Sequence, residues 1–153
     1  MEPSVAQAKV MVDELIRCGV TDVVLSPGSR SAPLALELAA AHARFEIRVH
    51  VRLDERVAGF VALGIGKATG IPAAVVTTSG SAVANLLPAV IEADHSYVPM
   101  LLLTADRPPQ LRGIGANQTI AQTTIFGPHV RSVTDLATAT TSEGQVKYWR
   151  SEV

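Results

Sequence analysis

Ala73-Ala74-Val75-Val76-Thr77-Thr78-Ser79-Gly80-Ser81-Ala82 is the stretch that decides the fold of this chain. Its first four residues form an apolar run too short for a helix, which predicts a strand covered on both faces, Ala73 to Val76. A polar turn around Gly80 follows, and an apolar helix is predicted over residues 82–93. A strand that passes through a short turn into a helix is the repeating unit of a parallel α/β sheet.

Three other apolar runs end in polar junctions of the same kind. They are Ser26-Pro27-Gly28-Ser29-Arg30-Ser31, Leu53-Asp54-Glu55-Arg56 and Thr104-Ala105-Asp106-Arg107. The carboxyl ends of parallel strands meet at one edge of a sheet, and that edge is where such folds bind ligands. We therefore expect all four junctions at a single ligand-binding edge.

The remaining elements follow from apolar periodicity. Ser4 and Gln7 resemble a capping box, which predicts a first helix from Ser4 that stops at Gly19. Further strands are predicted over residues 23–25, 46–52, 100–103 and 130–133, further helices over 33–42 and 56–68, an irregular stretch around 116–118, a polar loop over 140–144 and a last helix from 145. Residues 46–52 alternate apolar with polar, which is typical of a strand at an edge or facing another subunit. The expected fold is α/β, a three-layer parallel sheet flanked by helices.

Composition narrows the classes of function. The 153 residues correspond to one domain, by the usual ~100–200 residues per domain. A net charge of −1 offers no basic surface for nucleic acid or anionic lipid, so neither is expected as a partner. Cys18 is the single cysteine, which excludes an internal disulfide or a cysteine zinc cluster and fits a cytoplasmic location.

Two segments could be mistaken for targeting or membrane signals. The start at Met1 has no basic and apolar regions of a signal peptide. Residues 68–91 carry no charge, but prolines and a run of hydroxyl residues interrupt them. They are better interpreted as a buried strand, a turn and a buried helix than as a membrane span.

Each junction has a structural and a functional interpretation. Residues 26–31 form either a tight turn capped by Ser29 or Ser31, or an anion site in which backbone amides and Arg30 bind a carboxylate. Residues 77–81 form either a capped turn or a small-residue surface that a cofactor approaches closely. Glu55 is either an acid favoured by the helix dipole, behind the cap Asp54, or a catalytic group.

Taken together, five motifs resemble one family. They are residues 26–34 (SPGSRSAPL), 54–56 (DER), 78–86 (TSGSAVANL), 104–109 (TADRPP) and 115–118 (GANQ). The set resembles the amino-terminal part of the 2-succinyl-5-enolpyruvyl-6-hydroxy-3-cyclohexene-1-carboxylate synthase family, thiamine-diphosphate enzymes of menaquinone biosynthesis. One departure is Ser81, where the family usually has Thr; both side chains keep a hydroxyl.

The resemblance implies a pyrimidine-binding domain. In it, Glu55 would be the catalytic residue, a carboxyl group in a dry pocket that shares a proton with N1′ of the cofactor's aminopyrimidine and so assists its deprotonation. Burial raises the pKa of a carboxyl group, which would help it share that proton. The other cofactor-binding residues implied are Pro27, Gly28, Thr78, Ser79, Gly80 and Asn85.

The resemblance also implies the substrates, 2-oxoglutarate and isochorismate. The enzyme would decarboxylate 2-oxoglutarate, release CO2 and add the succinyl carbanion to isochorismate. The residues implied to hold the carboxylates are Ser29, Arg30, Arg107, Asn117 and Gln118. Arginine suits this task because its planar fork binds a carboxylate through two hydrogen bonds.

The family binds the diphosphate and Mg²⁺ (or Mn²⁺) through a second domain that carries Gly-Asp-Gly, a motif absent from this sequence. In the family that domain comes from the opposing subunit of a homodimer or of a dimer of dimers. We therefore expect residues 1–153 to be a pyrimidine domain that is incomplete before its last strand, without central and diphosphate-binding domains, without metal ligands and inactive alone.

Two alternatives remain. A non-catalytic binding or regulatory module could keep the fold, although such a module gains nothing from an acid at Glu55. A hydrolase with Ser79 or Ser81 as nucleophile lacks the elbow pattern, because Val83 occupies the position of the second glycine. No metal-ligand spacing connects the four histidines.

Overall fold

The computed structural model describes residues 2–140 and 144–153. Its helices are α1 (Pro3–Arg17), α2 (Ala32–Ala43), α3 (Glu55–Thr69), α4 (Ser81–Ala84), α5 (Leu87–His95) and α6 (Gln145–Glu152), and its strands are β1 (Asp22–Leu25), β2 (Arg48–Val51), β3 (Ala73–Thr77) and β4 (Met100–Thr104). Short 3₁₀ helices lie at Pro109–Leu111 and Gly127–His129. The α/β class predicted from sequence is confirmed.

The four strands form one parallel sheet in the order β2-β1-β3-β4. Val23 aligns with Val49 on one side and with Ala74 on the other, so β1 is central. The strand predicted over residues 46–52 is β2, and it lies at an edge as expected. All strands point the same way, so their carboxyl ends share one edge of the sheet.

Helices cover both faces of the sheet. Val23 and Leu25 point to the side of α1 and α2, where they pack with Leu15 and Leu38. Val24 points to the opposite side, and its cluster there includes residues of α3 and α5. Strand residues alternate between faces, so a strand covered on both sides is mostly apolar, as residues 23–25 of β1 and 73–76 of β3 are. The three-layer prediction is therefore confirmed.

The helix predicted over residues 82–93 is wrong in one respect, because the structure divides it into α4 and α5. Pro88 lies in the first turn of α5. Proline has no backbone N–H to donate and clashes with the preceding turn, so the chain begins a new helix there. The division leaves Asn85 at the end of α4, beside the carboxyl edge of the sheet.

The strand predicted over residues 130–133 is absent from the described residues. Val130 packs against the apolar cluster that includes residues of α3 and α5, and Val133 is half exposed. Neither residue pairs with a strand of the sheet that the structure describes.

The capping box predicted at Ser4 is also wrong. The first helix begins at Pro3 after Glu2, and the Ser4 hydroxyl donates to the Glu2 carboxylate instead. Of the predicted polar loop, residues 141–143 lie outside the described residues.

The uncharged segment over residues 68–91 contains the end of α3, β3, α4 and part of α5. None of the helices that the structure describes has the length and hydropathy needed to cross a bilayer.

Candidate functional site

The four polar junctions meet at the carboxyl edge of the sheet. The amide of Ser26 donates to the carbonyl of Val76 at 2.9 Å, and the amide of Ala105 donates to the carbonyl of Thr77 at 3.0 Å. The amide of Arg52 donates to the carbonyl of Leu25 at 3.0 Å. Strand pairing therefore continues into the turns, which fixes the junctions relative to each other.

Gly28 lets two of these junctions touch. A Cβ atom placed on Gly28 would lie 2.3 Å from Cβ of Thr78 and 2.7 Å from its Cγ2. Any side chain at position 28 would collide with the turn after β3. Nearby, Ser31 precedes α2 but donates its hydroxyl to the carbonyl of Gly28 at 3.1 Å rather than capping the helix.

Glu55 begins α3 at the junction after β2. Asp54 caps that helix, as one interpretation of the sequence had it, by accepting from the amides of Arg56 at 2.9 Å and Val57 at 3.2 Å. The amide nitrogen Nδ2 of Asn85 donates to Oε2 of Glu55 at 3.4 Å. This contact joins the junction after β2 to the helix that follows β3.

The surroundings of Glu55 are wetter than the dry pocket expected from the sequence. Glu55 is half-buried, and its pocket is open to solvent with a volume of about 460 Å³. The residues that line it are Leu53, Asp54, Glu55, Arg56 and Asn85. Further along α3, Val57 and Phe60 are exposed apolar side chains.

Gln118 packs on the turn after β3. Its Nε2 donates to the carbonyl of Ser79 at 3.0 Å, and the Ser79 hydroxyl donates back to the carbonyl of Gln118 at 3.0 Å. Gly80 has a φ of 83°, and a Cβ there would lie 2.8 Å from Cγ of Gln118. The buried Ser79 hydroxyl is thus held by a carbonyl, an arrangement unlike that of an activated nucleophile.

Gln122 was missed by the sequence analysis. Its buried side chain accepts a hydrogen bond from the amide of Gly80 at 2.8 Å and donates to the carbonyl of Ala105 at 2.9 Å. It therefore bridges the junctions after β3 and β4. No motif pointed to it, because a glutamine among threonines in an irregular segment carries no periodic signal.

Arg107 lies half-buried at the junction after β4. Its Nε atom is buried without a hydrogen-bond partner among the described residues. The nearby acid Asp106 is instead paired with Arg112, at 2.9 Å, and Arg112 also lowers the pKa of Asp135 by hydrogen bonding to it. The neighbouring acids thus face Arg112, which leaves Arg107 suited to bind an added carboxylate.

The remaining residues predicted to bind cofactor or substrate are more exposed to solvent. Pro27, Ser29, Arg30 and Asn117 are exposed at the same edge. Because β2 and β4 lie at opposite ends of the strand order, their junctions are separated by three strand spacings, about 14 Å at ~4.8 Å each. Glu55 with Asn85 and Arg107 with its neighbours therefore form two ends of one edge.

Comparison with known families shows which family the chain belongs to. The family model described as thiamine pyrophosphate enzyme, N-terminal TPP binding domain, matches residues 6–125. The chain belongs to this family. The match includes all of the junctions after β1 to β4, together with Gln118 and Gln122.

Within the thiamine pyrophosphate enzymes, the chain is similar to several synthases. It is 55% identical to the 2-succinyl-5-enolpyruvyl-6-hydroxy-3-cyclohexene-1-carboxylate synthase of Saccharopolyspora erythraea over 100% of this chain, which is 28% of that protein. The synthase of the same name from Nocardia farcinica is 52% identical, again over 100% of this chain and 29% of that protein. The one from Mycobacterium avium is 56% identical over 91% of this chain and 26% of that protein. The chain spans between a quarter and a third of the length of these relatives.

Proposed function

We propose that this chain is the pyrimidine-binding domain of a 2-succinyl-5-enolpyruvyl-6-hydroxy-3-cyclohexene-1-carboxylate synthase, acting as part of a longer polypeptide. The proposed reaction decarboxylates 2-oxoglutarate, releases CO2 and adds the remaining succinyl unit to isochorismate in menaquinone biosynthesis. Whole-chain identity of 55% to such a synthase supports this proposal. The observation that carries it is the contact between Glu55 and Asn85 at the carboxyl edge.

The arrangement of hydrogen-bonding atoms at Glu55 fits an aminopyrimidine ring. Oε2 accepts from Asn85, and among the described residues no hydrogen bond is made by Oε1. A half-buried carboxyl group with one oxygen anchored can present the other to a ring nitrogen and hold a proton there. Pro27, Gly28, Thr78, Ser79 and Gly80 are proposed to form the adjoining wall, where small residues let the ring approach the backbone.

Thiamine diphosphate, when bound beside Glu55, would supply an acidic carbon that can become a nucleophile towards 2-oxo acids. The part of Glu55 in this chemistry is to hold a proton at the pyrimidine nitrogen. Asn85 positions the carboxyl group, because its donated hydrogen bond fixes one of the two oxygens. Asp54, by capping α3, fixes the backbone on which Glu55 is carried.

Both proposed substrates carry two carboxylates, which need cationic partners. We assign this task to Arg107 and Arg30, assisted by Ser29, Asn117 and Gln118. The buried, unpartnered Nε of Arg107 supports the assignment, since a buried donor without a partner is costly unless a ligand completes it. Gln118 links these residues to the wall beside Glu55 through its bond to Ser79.

The rest of the proposed active site lies outside this chain. The open side of the Glu55 pocket and the exposed side chains of Leu53, Val57 and Phe60 support a second subunit packing there. That subunit of a homodimer or of a dimer of dimers is proposed to bind the diphosphate and Mg²⁺ or Mn²⁺. We propose a cytoplasmic enzyme, and we expect residues 1–153 to be inactive by themselves.

The test is the synthase assay on the full-length gene product with 2-oxoglutarate, isochorismate, thiamine diphosphate and Mg²⁺. Glu55→Gln keeps the shape and the Asn85 contact but removes the acidic proton, so we expect turnover to be abolished. Glu37→Gln, on α2 away from the edge, is the matched control and should retain turnover. Full activity in Glu55→Gln, or turnover by residues 1–153 alone, would contradict the proposal.

A further inference from the structure

A cluster of three potential metal ligands lies outside the site described above. Asp94 and His95 end α5, and His129 lies in the 3₁₀ helix Gly127–His129. One ligand atom from each of the three side chains lies within 4.8 Å of the others. His129 is 35 positions from Asp94 in sequence, which explains why spacing alone gave no signal of a metal site.

From this geometry we propose that Asp94, His95 and His129 bind a divalent transition metal such as Zn²⁺. Two imidazoles and one carboxylate are ligands that Zn²⁺, Co²⁺ and Ni²⁺ favour. Nδ1 of His129 lies 3.1 Å from Oδ2 of Asp94. Metal–ligand bonds of about 2.0–2.2 Å place neighbouring ligand atoms roughly 3 Å apart, so this pair already has the required separation.

The two histidine rings are also arranged for a shared ion. Their centroids are 6.0 Å apart and the planes are inclined by 43°, so the rings are neighbours without stacking, and a nitrogen of each lies within 4.8 Å of the other. His95 is exposed and can turn about its side-chain bonds, whereas His129 and Asp94 are half-buried. An ion would therefore complete a site whose two inner ligands are preset, with an open coordination position towards solvent.

The competing explanation is a plain ion-pair network. Arg131 lies 3.0 Å from Oδ1 of Asp94, and the hydrogen bond from His129 lowers the pKa of Asp94. In this network His95 contributes little, and Arg131 stabilises the charged carboxylate of Asp94. In the metal site, by contrast, the guanidinium of Arg131 repels a dication at Asp94. Removal of Arg131 thus has opposite consequences for metal binding and for ion pairing.

The cluster is independent of the proposed synthase function. α5 ends at His95 and the chain then enters β4 at Met100, so the cluster lies where strands begin, away from the carboxyl edge that carries Glu55. A bound ion would link residues 127–131 to α5 through its ligands. The consequence is a gain in stability on binding, because a ligand that binds only the folded state stabilises it.

The test is titration of Zn²⁺ alone, by calorimetry, into the full chain without an affinity tag, and Co²⁺ absorption as a second probe. We expect one saturable site and a higher unfolding temperature with Zn²⁺. His95→Ala should weaken binding by at least the roughly 10-fold to 100-fold typical of losing even an outer-shell partner. Because His95 is exposed, weaker Zn²⁺ binding in His95→Ala cannot be attributed to loss of folding.

Two further variants sharpen the result. His42→Ala, which removes an exposed histidine from α2, should leave Zn²⁺ affinity unchanged. Arg131→Ala should tighten Zn²⁺ binding while weakening the ion-pair network. Absence of a saturable site, equal loss in His42→Ala and His95→Ala, or weaker binding in Arg131→Ala would each overturn the proposal.

Discussion

The backbone amide of Gly80 donates a hydrogen bond to Oε1 of Gln122 over 2.8 Å. Through its Nε2, the same side chain reaches the carbonyl of Ala105. A single buried glutamine therefore satisfies one backbone donor and one backbone acceptor in two different junctions. The turn around Gly80 depends on a residue that lies 42 positions away.

Replacing Gln122 by alanine should leave both backbone groups without their partner. An unsatisfied buried polar group costs about 1–3 kcal/mol, so we expect the free energy of unfolding to fall by about that much for Gln122→Ala. Urea denaturation of the full chain measures it. Gln110→Ala, at an exposed glutamine, is the control. An unchanged midpoint in Gln122→Ala would show that water replaces the bridge.

Gly28 and Gly64 form a second matched pair. Gly28→Ala should place its Cβ against Thr78, and overpacking of this kind costs about 1–3 kcal/mol. Gly64 lies within α3, and the position that an added methyl group would take has no neighbouring atom within 4 Å, so Gly64→Ala should stabilise by up to about 1 kcal/mol. Denaturation midpoints should thus move in opposite directions. Two shifts of the same sign would show that the turns after β1 and β3 are not in firm contact.

Asp22 should make stability depend on pH. Its buried carboxylate accepts hydrogen bonds from Arg48, from His50 and from Thr21. The bond from Arg48 contributes most to lowering the pKa of Asp22 in the folded state. A lowered folded-state pKa gives stability that is present above the unfolded value of about 3.9 and is lost as the pH falls below it.

We therefore expect Asp22→Asn to lower the free energy of unfolding at pH 7 by about 1.5–3 kcal/mol, the range for hydrogen bonds to charged groups. The difference from the unsubstituted chain should shrink as the pH is lowered through 4 towards 3. Urea titrations across this range measure it, with Glu37→Gln as control. A difference that is constant with pH would contradict the assignment.

Arg107 offers a test of substrate binding. Lysine keeps the charge but cannot form the two parallel hydrogen bonds of a guanidinium. Losing one charged hydrogen bond costs about 1.5–3 kcal/mol, so Arg107→Lys should raise the KM for the carboxylate substrates about 10-fold to 100-fold. The kcat should change less. Arg17→Lys, on α1, serves as control, and an unchanged KM in Arg107→Lys would place the carboxylates elsewhere.

Much of the fold could be predicted because local patterns and packing agree. Residues 23–25 of β1 and 73–76 of β3 are short apolar runs, and the structure buries both on two faces. The errors arose where long-range packing decides. Val130 fills a gap against α3 and α5 rather than joining a sheet, and no local pattern distinguishes these outcomes. The alternation of residues 46–52 correctly predicted an edge strand, but it gave no sign that Arg48 and His50 bind Asp22 of the neighbouring strand.

The part of the candidate site that lies in the turns after the strands could be predicted from the sequence. Strand direction alone brings Gly28 and Thr78 to one edge, and Asp54 is a helix cap by residue type. The pairing of Asn85 with Glu55 depends on the break before α5, which the single helix predicted over residues 82–93 concealed. The bridge at Gln122 and the metal-ligand cluster at Asp94 join distant segments, which sequence spacing does not reveal.

The central claim is that Glu55 holds a proton at the pyrimidine nitrogen of thiamine diphosphate. The most direct measurement is hydrogen–deuterium exchange at C2 of the cofactor, followed by NMR after acid quench, on the full-length gene product without substrates. We expect fast exchange with the unsubstituted protein and exchange close to that of the free cofactor with Glu55→Gln, at cofactor concentrations that saturate both. Equally fast exchange in Glu55→Gln would contradict the account.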